Sequence, residues 1–180
     1  MAFGSPAQAV YKFDKAERIL SLDADLFSGF NVRYIKDYAK GRAVSKDNTE
    51  MNRLYAVETT MSLTGAKADH RIAVKPSQMV EIAKAIAKAL GVSGAESSYS
   101  DNAKWIEEMA KDLGANKGKS LVVAGKNQSP MVHALANAMN DALGATGETV
   151  EYIEPFQPNA ETLQSEQLAE LIKDIDAGTV

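Results

Sequence analysis

The chain has 180 residues, of which 45% are hydrophobic and 24% charged, and its formal net charge is −4. These values predict one globular domain with a sizeable core, and they disfavour a nucleic-acid-binding or anionic-membrane-binding surface, which needs a basic patch. The sequence has no cysteine, which excludes disulfides, thiolate metal sites and iron–sulfur clusters within this chain. No run approaches the ~18 apolar residues of a membrane span, so we expect the isolated domain to be soluble.

The first half of the chain predicts two strand–helix units. Residues 18–22 form the first strand, and a helix follows it from Asn31, a good N-cap. Residues 54–57 are a short apolar run, typical of a buried strand. After a long polar loop, residues 77–90 form an amphipathic helix with apolar side chains at helical spacing.

The second half continues the same alternation. Residues 120–124 are the clearest strand, because they are apolar and β-branched and carry no charge, which is typical of the centre of a parallel sheet. Residues 149–153 form a further strand, which Glu151 makes less central. Three further helices are predicted: one from Ser100 or Asp101 to Gly114, one from the cap Ser129 to Gly144, and one from the cap Ser165 to Gly178.

This order predicts an α/β fold with three layers and a doubly wound, mostly parallel sheet of the Rossmann-like kind. The last helix carries an apolar stripe, but no strand follows it to return to the sheet. We therefore expect a single domain over residues 1–180, with an ordered core from about residue 10 to residue 177. We also expect this domain to be a piece of a longer chain that lacks at least one flanking strand.

Acidic residues follow the first two predicted strands, where ligands bind in open α/β sheets. Glu58 comes directly after residues 54–57, and it either holds ribose hydroxyls, as an acid does in dinucleotide folds, or makes structural hydrogen bonds. Asp23 and Asp25 follow residues 18–22, and they either bind a cation or ribose hydroxyls or are solvated loop acids. Two carboxylates at this position would repel a phosphate.

A loop over residues 125–129 leads from the clearest strand into a helix start. Ser129 can cap this helix, and Pro130 suits its first position. The free N–H groups of such a helix start can hold an anion. The alternative is an ordinary strand-to-helix loop, in which Lys126 is solvated.

Asp69, His70 and His133 are the other candidates for a chemical role. Asp69 either braces its own loop or accepts hydrogen bonds from a guanine edge. His70 and His133 are isolated, and without cysteine they have no zinc-ligand spacing. The sequence therefore predicts no catalytic residue and no metal ligand.

Several segments together resemble the molybdopterin oxidoreductase superfamily, which includes DMSO reductase and formate dehydrogenase. In that superfamily a strand ends in an acid, and a Thr-x-x-Ala-Asp loop and a Pro-Gly or Pro-Ser helix start follow it. Residues 57–60, 64–71 and 75–77 repeat this pattern with one residue of slack. The resemblance is sharpest to the molybdopterin-like iron–sulfur subunit of alternative complex III, a quinol:cytochrome c oxidoreductase, and it extends over roughly residues 10–177. The further segments that carry it are residues 19–27, 51–55 and 121–125.

The resemblance implies a part of an oxidoreductase that works in electron transport on the periplasmic side of a bacterial membrane complex. The implied partners are the iron–sulfur part of its own parent chain, which holds the clusters, and the other subunits of that complex. The positions implied for cofactor binding, in vestigial or weak form, are Glu58, Thr64, Asp69, Gly125 and Asn127.

One departure from the family pattern bears on the cofactor. Members that bind the molybdenum cofactor have a Gly-Ser/Ala-Asn-Pro turn after the first strand, where this chain has Asp23-Ala24-Asp25-Leu26. Losing the glycine and adding two negative charges should weaken anion binding. Members of the alternative complex III group are thought to lack the molybdenum cofactor, and the charge argument agrees with that.

Three functions follow as hypotheses. In the first, the domain holds no cofactor and acts as a scaffold and interaction domain that is not itself catalytic. In the second, it binds the guanine dinucleotide of a molybdopterin cofactor in a working molybdoenzyme, through Glu58, Asp69 and the loop at Gly125. The third is a free-standing nucleotide-binding enzyme.

Overall fold

The strands form where short apolar runs can be buried on both faces of a parallel sheet. The computed structural model describes residues 7–28, 31–46, 49–156 and 162–179. Its strands are β1 (Gln8–Tyr11), β2 (Arg18–Leu22), β3 (Arg53–Glu58), β4 (His70–Ala73), β5 (Ser120–Ala124) and β6 (Val150–Ile153).

The longer helices form where apolar side chains recur every three or four residues. The side chain of Asn31 caps the first of them, as predicted, by accepting a hydrogen bond from the N–H of Tyr34. No helix in the described ranges is both long and apolar enough to cross a membrane. The helices are α1 (Val32–Arg42), α2 (Leu63–Lys67), α3 (Met79–Ala89), which a 3₁₀ turn over Pro76–Gln78 precedes, α4 (Ala103–Ala115), α5 (Pro130–Ala142) and α6 (Gln164–Asp176).

Four strands make one parallel sheet in the order β4–β3–β2–β5. The central strand β2 pairs along its whole length with β3 on one side and with β5 on the other. The chain moves outward from β2 through β3 to β4 and then returns to the other side of β2, which creates a topological switch point between β2 and β5. All four strands finish at the same side of the sheet, which we call its carboxyl end; the opposite side is its amino end.

The core lies between this sheet and helices α3, α4 and α5. Leu20, Tyr55 and Val122 contribute to it from the sheet, together with the predicted apolar stripes of the three helices. Side chains alternate along each strand, so Ile19 and Leu121 are buried on the opposite face. The predicted α/β fold, a parallel sheet flanked by helices in a Rossmann-like arrangement, is confirmed.

The region predicted as one long loop after residue 58 contains two elements, α2 and β4. Helix α2 has five residues, which is too short to show a helical repeat of apolar side chains. Strand β4 includes His70 and Arg71 and lies at the edge of the sheet, so it lacks a continuous apolar run. The prediction of a loop there is wrong for these two segments.

The strand predicted over residues 149–153 forms as β6, but it pairs with β1 in a separate two-stranded sheet. The outer edge of β5, where another strand would add, is occupied by the buried side chain of Asn140. Its amide donates to the carbonyl of Val122 at 2.9 Å and accepts from the N–H of the same residue at 2.8 Å. At Val122, the side chain of Asn140 therefore makes the two hydrogen bonds that a neighbouring strand would make.

The chain divides into two units. Residues 11–151 form one, and the described residues of the two chain ends, 7–10, 152–156 and 162–179, belong to the other. In the second unit, α6 exposes its predicted apolar stripe, whose members are 46–58% accessible: Leu168, Leu171, Ile172 and Ile175.

Candidate functional site

The loops at the carboxyl end of the sheet are joined by Asp23, which follows β2 in a left-handed conformation with φ of 55°. Its N–H donates to the carbonyl of Val57, the next-to-last residue of β3, at 2.7 Å. Its carboxylate accepts from the N–H of Thr59 at 2.8 Å and from the side-chain amide of Gln128 at 2.8 Å. Asp23 therefore connects the loops that follow β2, β3 and β5.

Backbone contact across the switch point is equally close. The N–H of Gly125 donates to the carbonyl of Leu22 at 2.9 Å. A Cβ placed on Gly125 would lie 2.0 Å from the carbonyl oxygen of Asp23, so only glycine fits without a backbone shift. The loops after β2 and β5 therefore lie directly against each other where they leave the sheet.

Glu58 is buried and bonded within the protein. Its side chain is 4% exposed and forms an ion pair with Arg71 of β4. The hydroxyl of Ser62, which caps α2, donates to the same carboxylate at 2.7 Å. A Cβ on Gly65 would lie 1.8 Å from this carboxylate, which shows how closely α2 packs on it. Of the two roles predicted for Glu58, the contacts match the structural one.

Thr64 and Asp25 form a second polar contact at the carboxyl end. The hydroxyl of Thr64 donates to Asp25 at 3.0 Å and accepts from the N–H of Leu26 at 2.7 Å. Burial acts to raise the pKa of Asp25, but hydrogen bonds from Ser28, Thr64 and neighbouring N–H groups outweigh it and hold that pKa below its ordinary value. Thr64 thus braces the acidic loop.

Asp69 lies at the amino end of the sheet, on the opposite side from Glu58. It accepts from the N–H of Leu54 at 2.8 Å and forms two hydrogen bonds with the guanidinium of Arg42, at 2.8 and 2.9 Å. Burial acts to raise the pKa of Asp69, but these hydrogen bonds prevail and lower it. The position therefore braces β3 and α1, and it is not brought together with the other predicted residues.

The remaining predicted positions lie in the loop between β5 and α5. Asn127 and Lys126 are exposed there, whereas Gly125 is buried. Ser129 precedes the helix, but its side chain makes no capping hydrogen bond. Within the described ranges, no cluster of three or more histidine and acidic side chains is arranged to hold a metal ion.

Exposed apolar side chains surround these loops. Met61 and Leu63 lie at the start of α2 and are 65% and 58% accessible. Val32, at the start of α1, and Met131, in the first turn of α5, are 72% and 51% accessible. Because all of these helix starts follow strands of the parallel sheet, the four side chains share its carboxyl end.

Comparison of the sequence with protein-family models gives no match, and comparison with curated protein sequences gives none either.

Sequence reasoning missed the partners that bond the predicted acids. Arg71, Thr59 and Gln128 each meet an acid that lies between 13 and 105 residues away along the chain. The contact of Arg71 with Glu58 depends on β4, a strand that the sequence did not predict. The contact of Gln128 with Asp23 depends on β5 returning beside β2.

Proposed function

We propose that this chain is a molybdopterin-oxidoreductase-like domain that holds no cofactor and acts as a scaffold and interaction domain in a respiratory electron-transfer subunit. The family in this proposal rests on the resemblance of the sequence to the molybdopterin oxidoreductase superfamily. The observation that carries the cofactor-free part is the hydrogen bonding of Asp23, which ties the loops after β2, β3 and β5 to one another.

The residues at the predicted positions do not fit a molybdopterin guanine dinucleotide. Glu58, the acid expected on a ribose, is paired with Arg71 beneath α2. Asp69 lies at the other end of the sheet, where its carboxylate forms an ion pair with Arg42. Asp23 and Asp25 would place two carboxylates beside the phosphates, and the chain has no cysteine to offer as a molybdenum ligand.

The exposed apolar side chains support the interaction role. Met61, Leu63, Val32 and Met131 make the carboxyl end suitable for contact with another protein surface, and methionine adapts readily to such contacts. The partners in this proposal are the iron–sulfur part of the parent chain and the other subunits of a membrane complex.

The proposal is tested by comparing two matched substitutions in the parent complex, Met61→Asp and Val44→Asp. Both residues are exposed, at 65% and 56%, but Val44 follows the end of α1 at the amino end of the sheet. We expect Met61→Asp to lower the yield of co-purified subunits roughly tenfold, because a desolvated carboxylate costs more than 1.4 kcal/mol. Val44→Asp should leave the yield unchanged.

Two outcomes contradict the proposal. One is a complex that tolerates Met61→Asp as well as Val44→Asp. The other is a loss of quinol oxidation on replacing exposed Asn127 by alanine in a complex that stays fully assembled, because a scaffold does not need that side chain.

A further inference from the structure

A groove of about 700 Å³ lies beside the first residues of β3 and β4, against α4. This volume falls in the range of sites that bind small molecules, roughly 300–1,000 Å³. The groove shares no residue with the loops at the carboxyl end, so what it binds is independent of the cofactor-free function proposed above.

Aromatic rings form two of its walls. His70 stacks on Tyr55, with ring centroids 5.1 Å apart and planes inclined by 18°. Trp105 meets the same tyrosine ring nearly at right angles, at 5.8 Å and 83°. Both His70 and Trp105 line the groove, and each offers an aromatic surface that a planar ring can contact by stacking or at its edge.

The hydroxyl of Tyr55, the ring that both of these side chains contact, is fixed to the fold. It donates to Asp112 of α4 at 2.7 Å. Asp112 also accepts from Arg18 and Arg53, which extend from β2 and β3. The floor of the groove is thus held by hydrogen bonds among three elements, and its geometry does not depend on a bound ligand.

The charges around the groove favour an anion. Lys104 and Lys111 are exposed at its rim, and neither forms an ion pair in the part of the chain that the structure describes. Two acids line the groove. Arg18 and Arg53 neutralise Asp112, whereas Glu108 forms no ion pair within the described residues. The rim is therefore locally cationic in a chain whose net charge is −4.

We propose that this groove binds a small planar aromatic anion of the purine mononucleotide class. The base packs against the aromatic side chains of His70 and Trp105, and the phosphate faces Lys104 and Lys111. Stacking of a base on an aromatic side chain contributes about 1–3 kcal/mol, and the lysines supply the charge that distinguishes a nucleotide from a nucleoside.

Trp105 is the single tryptophan of the chain, so its fluorescence reports on this groove alone. Titration with AMP at low salt should quench that fluorescence along a saturable curve, with a Kd below about 1 mM. Adenosine lacks the phosphate and ribose 5-phosphate lacks the base, and each should bind at least about tenfold more weakly than AMP.

Three variants locate the site. His70→Ala and Lys104→Gln should each weaken AMP binding by about tenfold, and Lys104 is exposed, so its replacement leaves the fold intact. Lys36→Gln, an exposed lysine of α1, is the matched control and should bind AMP like the unmodified chain. Thermal melting of each variant checks that it is folded.

The proposal is overturned if AMP causes no saturable quenching, or if His70→Ala and Lys104→Gln bind it as well as Lys36→Gln does. It is also overturned if all three substitutions weaken binding equally, because that indicates unspecific attraction to the surface. None of these three results bears on subunit association through Met61, so this proposal and the proposed function can fail separately.

Discussion

Asp23 combines an unusual backbone conformation with a carboxylate that is hydrogen-bonded to two neighbouring loops. Its backbone is in the left-handed region, which normally favours glycine, and its carboxylate accepts hydrogen bonds from Thr59 and Gln128. The strain is tolerated because the turn brings the carboxylate between two other loops. Sequence alone predicted acids at this point but gave no means of knowing which side chains they would meet.

Replacing Asp23 by alanine or glycine separates these two contributions. Both variants lose the hydrogen bonds to the charged carboxylate, which contribute about 1.5–3 kcal/mol. Glycine adopts a positive φ freely, whereas alanine remains strained by about 1 kcal/mol. Urea unfolding should therefore rank the chains as unmodified, then Asp23→Gly, then Asp23→Ala. Equal stability of the two variants would contradict the assigned strain.

At the scale of elements, Asp112 joins α4 to the two central strands. Its carboxylate accepts from Arg18, Arg53 and Tyr55, and its side chain is 19% exposed. Burial acts to raise the pKa of Asp112, but the hydrogen bond from Tyr55 and the two arginines prevail and lower it. A group with a lowered pKa stabilises the fold above its unfolded value of about 3.9, and this contribution disappears as the pH falls through the lower folded value.

The substitution Asp112→Asn should cost about 1.5–3 kcal/mol of unfolding free energy near neutral pH, because two arginines lose their counter-charge. The gap between the variant and the unmodified chain should begin to narrow as the pH falls below about 4, where the unfolded carboxylate takes up a proton, and should close as the pH passes the lower folded pKa, where the native carboxylate is protonated as well. Urea unfolding across this pH range measures the gap, with Glu107→Gln, an exposed acid of the same helix, as the control. A gap independent of pH would show that Asp112 acts through packing rather than charge.

Elements with a strong internal pattern were predictable, and those defined by their neighbours were not. The run Leu121–Val123 identifies β5 because a buried parallel strand needs no partner-specific information. Strand β4 has no such run and is a strand because β3 lies beside it. The stripe of α6 predicted the helix correctly, but periodicity does not say what covers a helix, and in the described structure its leucines and isoleucines are exposed.

At the scale of the whole molecule, the parallel sheet has the topology that places ligands at a switch point, and the loops there are hydrogen-bonded to one another. Gly125 rests against the backbone of Asp23, and Glu58 is enclosed by α2 and Arg71. The sequence predicted which residues follow the strands, because strand ends are visible in the hydrophobic pattern. It did not predict that Asp69 would lie at the opposite end of the sheet, since that depends on the unpredicted elements α2 and β4.

The content of molybdenum, tungsten and pterin in the full-length protein, purified from its native host, tests the proposed cofactor-free role most directly. Mass spectrometry for the metals and fluorescence of the oxidised pterin give the amounts per chain. Because Asp23, Glu58 and Asp69 are all bonded to other residues of the protein, we expect amounts far below one metal and one pterin per chain. Stoichiometric metal together with extractable pterin would contradict it.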